Sequence, residues 1–225
     1  MSASPRTPRR IPGTGRVEAF SDGVIAIIIT LLIFEVRLPQ PADDSNRAML
    51  DAFIAITPKL ASFAVSFVTV AIFWVNHHSF FAGISHTDWK LLWANNLLLF
   101  FLAIVPFTTA VLGDHVGQPI AVAVYALNLG LAGAAFTLMG YYVLFKARLV
   151  DPRISDGARR IEVKRSILGT ALYLLAAPIG LVAPGLALGL FVVIPIGFIV
   201  PGLFGRVGTE LRGFTDATPE PETRI

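Results

Sequence analysis

Two carboxylates bracket an apolar run. In the segment RVEAFSDGVIAIIITLLIFEVRL, residues 16–38, Asp22 closes one end of the stretch Gly23–Phe34 and Glu35 the other. Twelve helical residues rise only about 18 Å, short of a hydrocarbon core of about 30 Å. A helix that spans here must carry Glu18, Asp22 or Glu35 into or near the membrane. Ionisable groups at that depth are costly and usually face a bundle interior or a water-filled path. This helix therefore does more than anchor the chain.

On a helical wheel with Ile27 at the origin, Gly23, Thr30, Leu31 and Phe34 fall on one stripe, with Phe20 and Arg16. Glu18, Ser21 and Asp22 fall on the opposite side. Two readings of the stripe stand. It lines a hydrophobic pathway with one hydroxyl, Thr30. Or it faces lipid or another helix, and Thr30 bonds back to a carbonyl of its own helix. Geometry alone favours the second. Asp22 also has two readings. Ser21 or Asp22 caps the start of the helix. Or Asp22 joins a polar network with Trp74, His77 or Asn95, with Arg16 as a further partner. The network is the stronger reading, because an unpaired buried carboxylate costs several kcal/mol.

The His77–His78 pair invites a metal. Adjacent helical residues point about 100° apart, however, and cysteine is absent, leaving only His86 and His115. No metal or other cofactor is expected. No nucleophile–base pair, phosphate-binding loop, dinucleotide fingerprint or TVGYG filter is present.

The elements that position these residues are membrane helices. Mean hydropathy is +0.70 and 55% of the 225 residues are hydrophobic, which excludes an ordinary soluble domain. The apolar runs are continuous, so alternating barrel strands are excluded. Six spans are expected, near 16–38, 52–75, 91–112, 119–145, 166–183 and 185–204. Pro184–Gly185 reads as a tight turn between the last two. The fold class is all-α: one six-helix domain over 16–205, flanked by a disordered tail (1–15) and a C-terminal tail (206–225). Arg6, Arg9 and Arg10 precede the first run as in a leader peptide, but Asp22 and the lack of an A-x-A-like site after Phe34 argue against cleavage.

Fifteen of the eighteen Lys and Arg lie in the N-terminal segment, around Lys90, between Lys146 and Arg165, or in the C-terminal tail. Only Arg37, Arg47 and Lys59 lie on the other side. Both termini are thus expected in the cytoplasm. The sequence pI near 9.5 is explained by this orientation, not by nucleic acid. Ala126, Gly130 and Ala134, and Gly185 with Gly189, form small-residue rows suited to helix packing, within the chain more readily than between subunits.

These residues carry a resemblance. Arg16-x-x-x-Phe20-Ser21-Asp22-Gly23, followed by an Ile-rich helix ending Leu31-Leu32-Ile33-Phe34-Glu35, resembles the transmembrane-protein-175 family of potassium channels. Trp74-x-x-His77 and Trp93-x-Asn95 with Pro106-Phe107 are similar to it as well. The likeness is close over the first three spans and extends to the six-span layout. It implies a homotetramer in the cell membrane, with the first helix of each subunit lining the pore. By position, Ile27, Leu31 and Phe34 match the constriction residues and Thr30 the threonine linked with potassium selectivity. Arg16, Phe20, Ser21, Asp22, Trp74, His77 and Asn95 match a packing network. Phe34 departs from the pattern, which more often has leucine there, and this bears on conductance.

The leading expectation is a passive, potassium-permeable channel gated by dewetting at a hydrophobic constriction. The partners are other copies of the chain and membrane lipid. The alternative is a secondary or proton-coupled transporter using Asp22 or Glu35, which should show repeats with broken helices. Too few polar residues converge for an enzyme.

Overall fold

The computed structural model describes residues 13–147, 149–150 and 155–200. The expected tails, 1–15 and 206–225, lie almost wholly outside them. The described residues are helical, apart from loops and an isolated bridge between Ile84 and Val150. The helices are α1 (Gly15–Phe34), α2 (Asn46–Ala55), α3 (Thr57–Ala82), α4 (Trp89–Ala103), α5 (Val105–Asp114), α6 (Pro119–Tyr141), α7 (Asp156–Val182) and α8 (Pro184–Ile199). A π-turn, Tyr142–Lys146, extends α6.

Proline places several boundaries. Pro58, Pro106, Pro119 and Pro184 each stand in the first turn of a helix, where the missing N–H costs nothing. Pro106 therefore splits the expected third span into α4 and α5, which run on with one interrupted turn at Ile104. Pro184 and Gly185 belong to the first turn of α8, so the expected tight turn there is corrected: the break falls at Ala183. Side chains set other starts. Ser45 accepts from the Ala48 N–H, and Asp88 from the Leu91 N–H at 2.8 Å. The other oxygen of Asp88 accepts from the Tyr142 hydroxyl, tying α4 to the π-turn.

Five segments are long and apolar enough to cross a membrane: Gly15–Phe34, Thr57–Ala82, Trp89–Asp114, Pro119–Lys146 and Arg159–Val182. The apolar helix Pro184–Ile199 is shorter, with 16 residues. Two expected boundaries move. The second span starts later, at Thr57, and continues to Ala82, because α2 forms a separate short helix before it. The fifth starts earlier, at Asp156, so Arg159, Arg160, Lys164 and Arg165 lie on helical turns rather than in a loop.

The core centres on α6. Tyr125, Leu129 and Met139 are fully buried there, and α6 packs closely along α7. Gly130 makes this approach possible: a Cβ there would lie 2.6 Å from Leu174 Cδ2. In the first turn of α3, Lys59 forms an ion pair with Asp114 at 2.5 Å, joining the start of α3 to the end of α5.

Candidate functional site

Helix α1 has two unlike faces. Val17, Ser21, Ile25, Ile28 and Leu32 recur every three or four residues and are buried against α3, α4 and α5. Phe20, Ile27, Leu31 and Phe34 lie outward and are 58%, 59%, 45% and 67% exposed. Thr30 stands among them, also exposed, and donates to the Ile27 carbonyl at 2.8 Å. The stripe read from the sequence is thus a continuous exposed face on a single chain, and Thr30 makes the expected bond within its own helix.

The buried face carries polar groups in partnership. His77 Nε2 donates to Asn95 Oδ1 at 2.8 Å, and Asn95 Nδ2 donates to Ser21 Oγ at 2.9 Å. All three residues are almost wholly buried, so each bond is made in place of water. One turn of geometry away, Trp74 Nε1 donates to Asp22 Oδ1 at 2.9 Å. These bonds fasten α1 to α3 and α4. Helix α1 begins at Gly15, so Ser21 and Asp22 sit in its second turn and do not cap it. Arg16 and Phe20 are exposed and stand apart from these contacts.

The paired histidines diverge. The His77 ring is buried against Phe81 with centroids 4.5 Å apart, whereas His78 is exposed and stacks on Trp74 at 5.9 Å. Among the described residues, no group of three His, Asp or Glu could hold a metal ion. Glu35 is exposed just past the end of α1.

Sequence reasoning missed a second polar thread. Thr109 donates to Ser66 at 2.7 Å, and Ser66 bonds the Tyr125 hydroxyl at 2.9 Å, linking α5, α3 and α6 in the middle of the bundle. Thr137 bonds Ser166 at 2.6 Å and Thr170 at 2.9 Å across α6 and α7. Isolated hydroxyls inside apolar spans were the available signal, since such groups bond across helices in membranes. The small-residue rows divide. Gly130 packs inside the chain, whereas a Cβ at Gly185 or Gly189 would meet nothing within 4 Å.

Several apolar helices, joined by buried hydrogen bonds and led by a helix packed on one face only, define a polytopic helical membrane protein. The comparisons narrow this class. The sequence model of the family described as "Endosomal/lysosomal potassium channel TMEM175" matches residues 16–106. A protein of Streptomyces collinus described as a potassium channel is 37% identical over 184 residues, covering 77% of this chain and 88% of that protein. The crystal structure of "a lysosomal potassium-selective channel TMEM175 homolog" from Chamaesiphon minutus matches with a TM-score of 0.73 and 31% identity, covering 82% of this chain and 95% of that one. The chain belongs to the TMEM175 family. The human relative, described as an "Endosomal/lysosomal proton channel", is 34% identical over 110 residues, which are 46% of this chain and 22% of that protein.

Proposed function

We propose that the chain is a potassium-permeable channel of the cell membrane. Four copies surround a central pathway lined by α1, both termini are cytoplasmic, and α8 serves as the sixth span. The observation that carries this reading is the exposed stripe of Phe20, Ile27, Leu31 and Phe34 on a helix whose other face is fastened by buried hydrogen bonds. Among the described residues of one subunit, nothing covers that stripe. Relatives described as potassium channels supply the class of function.

The mechanism follows from side-chain chemistry. Ile27, Leu31 and Phe34 form successive apolar constrictions, which close by dewetting and open when the helices part. Thr30 donates its proton to Ile27 O, so its oxygen lone pairs are free for a passing cation. Four such oxygens form a ring that no single chain contains. Ser21, Asn95 and His77, with Asp22 and Trp74, hold α1 at the angle the constriction needs. The transporter reading is not favoured: Asp22 is engaged by Trp74, and Glu35 stands exposed beyond the helix end.

The test is the reversal potential of the purified protein in planar bilayers, with potassium on one side and sodium on the other. Unitary ohmic currents reversing toward the potassium equilibrium potential are the expected result. Flux that appears only with a second ion or a proton gradient would replace the channel by a carrier.

A further inference from the structure

Within one subunit α1 is flanked by α3 on one side and α4 on the other, while α8 lies next to α3 and α7 behind α6. Each flanking helix carries an exposed row with a seven-residue period. On α3 the row is Leu60, Phe67 and Trp74, and on α4 and α5 it is Trp93, Phe100 and Phe107. Seven residues make nearly two helical turns, so each row runs almost straight along its helix, as the seam between paired helices does.

Each row also carries a polar side chain. His78 lies one turn beyond Trp74 and is exposed, its ring stacked on that indole. Asn96 lies one turn beyond Trp93, is exposed, and makes no hydrogen bond among the described residues. It stands about 10 Å along the helix from Trp89, where the span Trp89–Asp114 begins. With 26 residues that span is about 39 Å long and outruns a hydrocarbon core of about 30 Å by about 5 Å at each end. The amide therefore lies inside the core, where lipid offers it no hydrogen bond and another helix does.

The two polar groups match in depth. His77 and Asn95 are bonded to each other at 2.8 Å and so share a level. The helices are antiparallel, joined at one end by that bond and at the other by the Lys59–Asp114 ion pair. His78 and Asn96 are each one residue further on, so their levels differ by only about 3 Å. The large apolar side chains alternate along the same direction, in the order Trp93, Trp74, Phe100, Phe67, Phe107, Leu60.

Rotation about an axis along the membrane normal leaves every depth unchanged. Copies arranged with α1 at the centre present the α3 row of one subunit to the α4 row of the next at a common level, the head-to-tail contact that closes a ring. We propose that this is the contact between subunits, with His78 of one copy hydrogen-bonded to Asn96 of the next and the two apolar rows interleaved. It rests on the ring of copies proposed above and adds the surface that closes it.

The chain contains no cysteine, so introduced thiols report alone. The experiment is cross-linking of full-length variants in the host membrane with a short bifunctional thiol reagent, because Cβ atoms held apart by a hydrogen-bonded pair stand too far from each other for a disulfide. The double variant His78→Cys/Asn96→Cys is expected to give a ladder of dimer, trimer and tetramer. Copies carrying only His78→Cys mixed with copies carrying only Asn96→Cys should give dimers and nothing larger, and neither variant alone should cross-link. A dimer from Asn96→Cys alone makes the contact two-fold and overturns the assignment. So does a double variant without cross-links whose native mass spectrum still shows a tetramer, an outcome that leaves the ring standing; a monomer in that spectrum overturns the contact and the ring together. Asn96→Ala needs no thiol and should weaken each interface about fivefold, the worth of one net hydrogen bond, read as the tetramer-to-monomer ratio on dilution. An unchanged ratio overturns the pairing of His78 with Asn96.

Discussion

Helices α1 and α6 are similar in composition and opposite in placement. The span formed by α1 is the more apolar of the two, yet only 22% of it is buried within the chain, against 61% for the span containing α6. In water the more apolar helix would be the core. In a membrane, lipid tails are as apolar as leucine, so hydrophobicity does not decide which helix lies inside. Close approach and hydrogen bonding decide instead. Helix α6 supplies Gly130 and Gly133 for contact with α7, and Tyr125 and Thr137 for bonds to α3 and α7. Helix α1 places the groups that bond to neighbouring helices, Ser21 and Asp22, away from its stripe and leaves its largest apolar side chains outward.

The comparison breaks most severely at Gly130. In Gly130→Leu the new Cβ would fall 2.6 Å from Leu174 Cδ2 and 3.1 Å from the Leu174 backbone nitrogen, so α6 and α7 must separate. A loss of about 3 kcal/mol or more is expected, at the upper end for overpacking a tight interior. It would be read as a lower unfolding midpoint in detergent. A stable protein would mean that α6 is not the core. Asn95→Ala comes next. It removes the link between His77 and Ser21 and leaves both buried groups short of a partner, for an expected loss of about 1–3 kcal/mol. The same denaturation measurement checks it, and the loss should shrink when Ser21→Ala is combined with it, because the two changes share one chain of bonds.

The difference between the helices also explains what was legible in the sequence. The period of α1 separated Ile27, Leu31 and Phe34 from Ser21 and Asp22, because a 3.6-residue repeat of polar groups in an apolar run is a strong signal. Trp74, His77 and Asn95 were reached because buried polar groups need partners and these lay at a matching depth. The continuation of α3 past residue 75 and the early start of α7 were not legible. Hydropathy reports where lipid is tolerated, and a helix runs on through charged residues as long as its own hydrogen bonds are made. The hydroxyl contacts at Ser66, Thr109 and Thr137 were hidden for another reason. Serine and threonine can satisfy themselves on their own backbone, as Thr30 does, so type and spacing do not reveal which ones reach across.

The outward face of α1 should respond in the opposite manner to the core. Ile27 is 59% exposed in the single chain, so Ile27→Asn is expected to change the stability of the subunit by no more than about 0.5 kcal/mol. If α1 lines the pathway as proposed, its effect is on conduction. An amide in place of the apolar ring of side chains favours water in the constriction and should raise ion flux in reconstituted vesicles. Thr30→Ala is the smaller change. It deletes one oxygen per subunit and the 2.8 Å bond to Ile27 O, on a residue with no other hydrogen-bond partner among the described residues, so the fold should persist while preference for potassium over sodium weakens. Wild-type flux and selectivity in both variants would separate the stripe from the ion path and leave it as a surface for lipid or a neighbouring helix. Raised flux in one and reduced selectivity in the other, with unfolding midpoints unchanged, is the outcome that distinguishes a pore face from a packing face. A residue that only packs reports through stability, whereas one that lines a pathway reports through the ion.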